Sequence, residues 1–198
     1  MEALGKTAPD QNIEESKPLP VLEYVLALVS KAKQASRRLA SLPTATKDQA
    51  LLAMAEALEA QSDELLAANE QDLKAFGMTP EKKAMADRLR LTEKRIGEMA
   101  AGIREVAKLP DPVGMMSGMW TRPNGMQVGR VRVPIGVVGI IYESRPNVTA
   151  DSAALCLKSG NVCVLRGGSE AIRSNTAIAT ILSESARTAG VPAGAITF

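Results

Sequence analysis

Residues 135–142, Ile-Gly-Val-Val-Gly-Ile-Ile-Tyr, constrain this chain more than any other stretch. A strand with one wet face alternates apolar and polar residues. This run does not alternate, so it reads as a strand covered on both faces. The residues after it agree with a parallel sheet. A polar loop, 143–147, leads into a helical stretch, 148–158, closed by Gly160. Val162-Cys163-Val164-Leu165 is a second short apolar strand. Arg166-Gly167-Gly168-Ser169 is a turn, and Ser169 is placed to cap a long helix from Glu170 to about Ala189, ended by Gly190 and Pro192. Ile196-Thr197-Phe198 begins a third strand. Strand–helix–strand–helix–strand is the rhythm of a βαβ sheet. Such sheets bind ligands outside the carboxyl ends of their strands. The loops 143–147 and 166–169 both leave such ends, which makes them the candidate site.

The preceding part is of another kind. Residues 1–17 are polar, carry Asp10, Glu14 and Glu15, and read as a flexible tail without a secretory signal. Residues 18–112 read as helical. Leu22, Val25, Leu26 and Val29 recur at helical spacing, in a helix continuing to about Leu42 before Pro43. Thr44 or Thr46 is placed to cap a second helix carrying Leu51, Leu52, Ala55 and Leu58. A third spans 63–76 and stops at Gly77. Thr79-Pro80 and Thr92-Glu93 mark two more starts. The character changes at Pro110-Asp111-Pro112. Asn124-Gly125 then separates 115–121 from 126–133, predicting a β-hairpin closed by a type I′ turn. The expected organisation is a tail, 1–17; a helical part, 18–112; and an incomplete nucleotide-binding unit, 113–198.

Several function classes drop out. The 24 basic and 22 acidic residues are interspersed and leave a net charge of +2, too little to imply a nucleic-acid partner. The absence of histidine removes histidine bases and histidine metal ligands, and no metal site is expected. The longest apolar stretch is too short to span a bilayer, so a soluble cytoplasmic protein is expected. Cys156 and Cys163 sit among apolar residues, where a thiol is raised in pKa and inert; they read as free structural cysteines.

Two readings stand for each loop. In 166–170, the glycines admit a close ligand, the following helix offers N–H groups to an anion, and Arg166 adds a charge suited to phosphate. The plainer alternative is a strand-to-helix turn, with Ser169 as cap and Glu170 favouring the helix dipole. In 143–147, the Asn147 amide is suited to a developing oxyanion. The alternative makes Asn147 a helix cap and Glu143–Arg145 a surface ion pair.

The segment from Val133 to Thr149, which contains Glu143-Ser144-Arg145-Pro146-Asn147, resembles the signature of the glutamate-5-semialdehyde dehydrogenases, a branch of the aldehyde dehydrogenase superfamily. Leu155-Cys156-Leu157-Lys158-Ser159-Gly160-Asn161 and Leu165-Arg166-Gly167-Gly168-Ser169-Glu170 continue the match. Upstream, Ala68-Asn69, Asp72-Leu73, Asp87-Arg88-Leu89 and 109–114 also fit, so the resemblance covers about 20–198. It implies an α/β, aldehyde-dehydrogenase-like fold: a helical N-terminal region, a β-hairpin and a truncated, Rossmann-like parallel sheet that binds cofactor. It implies NADPH-dependent reduction of L-glutamyl 5-phosphate to glutamate 5-semialdehyde, with release of phosphate, in proline biosynthesis. By position, Asn147 matches the family's oxyanion donor. Arg166 falls where relatives place a lysine at the cofactor ribose, Gly167 and Gly168 belong to the same turn, and Ser169 and Glu170 would flank that ribose. Arg145 is a further candidate for an anionic group of the substrate. The family's nucleophilic cysteine matches neither cysteine here and is expected beyond Phe198, so the chain alone is expected to be inactive. The resemblance also implies a homo-oligomer in the intact enzyme, joined through a hairpin arm. Another branch of the superfamily and a nucleotide-binding fragment without chemistry remain the alternatives.

Overall fold

The computed structural model describes residues 20–77 and 79–198. The expected tail, 1–17, lies outside the described residues.

Helices come first: α1 (Val21–Leu39), α2 (Thr44–Ala60), α3 (Ser62–Phe76), α4 (Lys83–Leu89) and α5 (Glu93–Lys108). A single 3-10 turn, Pro80–Lys82, leads into α4. Thr92 caps α5, its hydroxyl accepting from the Arg95 amide at 3.2 Å. The expected caps at Thr44 and Thr46 do not form. Helix α2 begins at Thr44 behind Pro43 without a side-chain cap, and the Thr44 hydroxyl donates instead to Asp111 at 2.7 Å.

Strands β1 (Met116–Thr121) and β2 (Gln127–Val131) form an antiparallel hairpin. Its turn is not type I′. Only Gly125 has positive φ, at 85°, and no other residue type does among those described. The Gly125 amide donates to Arg122 O at 2.9 Å and Arg122 N to Met126 O at 2.8 Å. That is a type I turn with Pro123 and Asn124 at its centre, closed by a left-handed glycine. Proline fixes φ near −65°, which a type I′ turn cannot use at that position.

Strands β3 (Val137–Ile141), β4 (Val162–Arg166) and β5 (Ile196–Thr197) make a parallel sheet in the order β3-β4-β5. The register pairs Ile141 with Arg166, so β3 and β4 end side by side. Helices α6 (Pro146–Lys158) and α7 (Ile172–Thr188) are the two crossovers. They pack on each other and on α2, while α1 contacts β3 and β4. Burial of Val162, Cys163 and Leu165 follows, because β4 is central and covered on both faces, whereas β3, expected to be covered on both faces, is an edge strand with no fully buried residue and with Ile141 exposed. One apolar core runs from Leu39, Leu51 and Met54 through Ile96 and Ile103 to Leu157, Ile178 and Leu182.

Two lysines lie inside this core region. Lys47 and Lys158 are 1% and 3% exposed. Lys47 Nζ is 2.5 Å from Asp111, and Lys158 Nζ is 2.5 Å from Asp48 and donates to Ala107 O at 2.7 Å. The cluster fastens α2 to α6 and to the segment that enters the hairpin. Buried charges persist only when paired in this way.

Candidate active site

The site begins where β3 and β4 end. Past Ile141, Tyr142 N still donates to Arg166 O at 3.1 Å, which carries the strand pairing one residue into the loop. The chain then turns, with Ser144 and Pro146 buried and Glu143 exposed. Pro146 stands at the first position of α6, where its missing N–H leaves nothing unpaired. Asn147 is therefore in the first helical turn, not in the loop, and it does not cap the helix. Its side chain is exposed, with Nδ2 3.5 Å from Asp151 Oδ2 one turn along. Burial of the Asp151 carboxyl pushes its pKa up, against a smaller opposing effect of that amide.

A cavity of about 520 Å³ opens beside Asn147, between α4, the start of α5 and the first turns of α6. Its charged groups are mostly committed. Arg95 donates to the carbonyls of Asp87 and Arg90, and its guanidinium is 3.3 Å from the Asp87 carboxylate. Arg145 Nε lies 2.6 Å from Glu143 Oε1 without hydrogen-bond alignment, and Arg88 reaches the same carboxylate at 3.7 Å. The surface ion pair foreseen as the plainer reading of this loop is thus present. Arg145 lines the cavity as well.

The second loop lies next to the first. The Ser144 hydroxyl donates to Glu170 Oε2 at 2.5 Å, and this bond is the main reason the Glu170 carboxyl is held below its usual value. Arg166 is exposed and forms no ion pair among the described residues. Ser169–Ala171 is a 3-10 turn and α7 starts only at Ile172, so Ser169 caps nothing. The cap comes from elsewhere. The buried Asp72 carboxylate of α3 accepts from the amides of Arg173 and Ser174, at 3.2 and 2.7 Å, and from the Ser174 hydroxyl at 2.7 Å. The N–H groups expected to await an anion at this helix start are held by Asp72.

Beneath the turn lies a polar chain that sequence reasoning missed. Tyr142 Oη meets Thr149 Oγ1 at 2.6 Å, and Thr149 donates to Asn175 Oδ1 at 3.0 Å. Asn175 Nδ2 is buried without a partner and backs directly onto Gly167. No local signal marks this chain, since its members come from three elements. The loops thus adjoin, but the cavity beside Asn147 has no lining residue from 166–170.

The two cysteines stay out of the site. Both are buried; the Cys163 thiol is pushed up by contact with Cys156 and by its burial, whereas Cys156, expected to be raised as well, is lowered by the same contact against the effect of its burial. Among the described residues, no group of three histidine, cysteine, aspartate or glutamate side chains is placed to hold a metal ion, and no helix is long and apolar enough to cross a membrane.

The family model described as "Aldehyde dehydrogenase family" matches residues 21–198. The chain belongs to the aldehyde dehydrogenase family. Within it, the chain is 58% identical over 166 residues to a gamma-glutamyl phosphate reductase of Moorella thermoacetica, covering 84% of this chain and 40% of that protein. It is 59% identical over 177 residues to the Syntrophomonas wolfei protein of the same name, covering 88% and 42%. A crystal structure of gamma-glutamyl phosphate reductase from Thermotoga maritima superposes with a TM-score of 0.83 at 40% identity, over 88% of this chain and 42% of that one. The Saccharomyces cerevisiae structure of that name gives 0.76 at 29%, over 86% and 45%. The chain therefore spans about two fifths of the length of these relatives. The aldehyde-dehydrogenase fold expected from the sequence is the one observed.

The residues fit a phosphorylated nicotinamide dinucleotide at one end only. An exposed, unpaired guanidinium on Arg166 beside the Glu170 carboxylate suits a ribose bearing a phosphate. The start of α7, filled by Asp72, does not suit a pyrophosphate.

Proposed function

We propose that the protein to which this chain belongs reduces L-glutamyl 5-phosphate to L-glutamate 5-semialdehyde with NADPH, releasing phosphate, in a cytoplasmic route to proline. The observation that carries this reading is the identity of 58–59% to proteins named gamma-glutamyl phosphate reductase, with the candidate loops inside the matched region. Residues 113–198 are read as part of the dinucleotide-binding unit, behind the helical part 18–112.

In this reading NADPH supplies the hydride. Arg166 holds the 2′-phosphate of its ribose with two N–H donors, and Glu170, fixed by Ser144, accepts from a ribose hydroxyl. Gly167, Gly168 and Ser169 shape the turn beneath it. Asn147 donates its amide to the acyl oxygen as negative charge develops there, and Asp151 orients that amide from one turn along. Arg145 faces the same cavity and is placed to attract an anionic substrate. The family's chemistry needs a thiolate at the acyl carbon; Cys156 and Cys163 are buried, and neither lines the cavity beside Asn147. These 198 residues by themselves are thus read as without turnover. The exposed hairpin β1–β2 is read as an arm for assembly of the intact enzyme.

Fluorescence titration of the 198-residue chain tests the reading. NADPH should saturate, NADH should bind about tenfold more weakly, and Arg166→Ala should abolish that difference. Equal binding of the two nucleotides, or an Arg166→Ala variant that still prefers NADPH, removes Arg166 from the cofactor site. Oxidation of NADPH by the purified chain in the presence of glutamyl phosphate would refute the inactive-fragment assignment.

A further inference from the structure

Among the described residues, one cation and one anion of the cavity beside Asn147 have no ion-pair partner. Of its four arginines, Arg95 is taken by Asp87 and two carbonyls, and Arg88 and Arg145 share Glu143. Arg90 alone forms no ion pair or side-chain hydrogen bond among the described residues. Of the acids, Asp87 is held by Arg95, and Glu98 is 3.8 Å from Lys94. Asp151 meets only the Asn147 amide, at 3.5 Å. Arg90 and Asp151 do not pair with each other, although both line the same space. A guanidinium and a carboxylate that line one cavity without pairing are the complement of a carboxylate and an ammonium on one carbon.

We infer that this cavity recognises the α-amino-acid end of the substrate, Arg90 binding the α-carboxylate and Asp151 the α-ammonium. The inference rests on the proposed reading of Asn147 as the acyl-oxygen donor and assigns the specificity-determining residues next to it. Three C–C bonds of about 1.5 Å each separate the α-carbon of a glutamyl chain from its acyl carbon. That short reach fits an ammonium at Asp151 and an acyl oxygen at Asn147, whose side chains are neighbours on one helix face. Desolvation raises the Asp151 carboxyl, and its one side-chain contact among the described residues is the Asn147 amide, so a bound ammonium would supply the cation it does not have. Arg90 and Asp151 are exposed as whole residues, and both line the cavity, where the Asp151 carboxyl is partly desolvated.

The test uses three probes with the 198-residue chain, read as amide shifts of Arg145 and residues 147–151 in nitrogen-15 correlation spectra. L-glutamate carries both charged α-groups, glutarate lacks the ammonium, and 4-aminobutyrate lacks the α-carboxylate. L-glutamate should bind about tenfold more tightly than either analogue. Asp151→Asn should erase its advantage over glutarate but keep that over 4-aminobutyrate; Arg90→Gln should do the reverse. A general loss of structure would not separate the analogues in this crossed way. The inference falls if L-glutamate leaves these amides unshifted, or if the variants lose all three probes alike. NADPH titration, run in parallel, separates the two ideas. Saturable NADPH with no glutamate shift overturns the inference and leaves the reductase reading standing. Glutamate shifts without any NADPH binding uphold the inference and overturn the assignment of Arg166 and Glu170 to the cofactor.

Discussion

A methyl group added to Gly167 would collide with Asn175 Nδ2 and sit 3.1 Å from the Tyr142 ring; one added to Gly168 would collide with Ser144 Oγ. Neither glycine has positive φ, so the demand is for space and not for a special backbone. Gly167→Ala should destabilise the chain by about 1–3 kcal/mol, because the buried Asn175 cannot move aside. Gly139, in β3, has nothing within 4 Å of its added carbon, so Gly139→Ala should change stability by less than about 0.5 kcal/mol. Urea midpoints of the two variants make the comparison. The sequence revealed the glycine pair but not its cause, since Asn175 and Ser144 come from other elements. Asp111 shows a similar gap. Burial alone would raise its carboxyl, but bonds from Lys47, Thr44 and the Val113 amide together hold it below its ordinary value of 3.8. Its folded pKa is thus lower than its unfolded one. The stability it contributes is present above about pH 4 and is lost as pH falls through the folded value. Asp111→Asn should be less stable than wild type at pH 6, where Lys47 would lose its counter-ion, and the gap should narrow towards pH 3. A gap that holds constant from pH 6 to pH 3 would detach this stability from the carboxylate.

At the scale of elements, α7 shows where sequence reading succeeds and where it stops. Its extent was legible: Gly190 and Pro192 end it as expected, and its helical residues lie within the predicted stretch. Its beginning was not. A serine directly after two glycines looks like a cap, and local chemistry offered no competitor. The actual cap, Asp72, is about a hundred residues earlier, and its pairing with Ser174 exists only once α3 lies against α7. A buried carboxylate with three donors does more than an exposed serine, because removing it strands two amides and a hydroxyl in the core. Asp72→Ala should therefore cost about 2–4 kcal/mol, against less than about 0.5 kcal/mol for Ser169→Ala. Denaturant melts of both variants decide between the caps. If Ser169→Ala proves the costlier, the turn is held locally after all. The lysines of α2 and α6 carry the same lesson. Read by type, Lys47 and Lys158 belong on a solvated face, and only the tertiary contact of α2 with α6 makes them partners of Asp111 and Asp48.

The molecule as a whole presents apolar surface that its own core does not use. Residue Ile135, before the edge strand β3, is 84% exposed, and it shares a trough with Leu26 and Val29 of α1. The amphipathic spacing that identified α1 is real, but the half carrying Leu22, Val25 and Leu26 faces away from the core. The pattern was legible; its partner was not, because a stripe says that a surface is buried somewhere and not by what. Among the described residues nothing covers this trough, so at high concentration these 198 residues should hide it against other copies of themselves. Sedimentation velocity should show an average mass that grows with concentration in the micromolar to millimolar range. Ile135→Lys should raise the monomer fraction while leaving the circular-dichroism spectrum unchanged, since the side chain is almost fully in water. If mass stays monomeric throughout, the trough is too shallow or too well hydrated to associate. If Ile135→Lys instead unfolds the chain, that residue supports β3 in a way its exposure does not reveal.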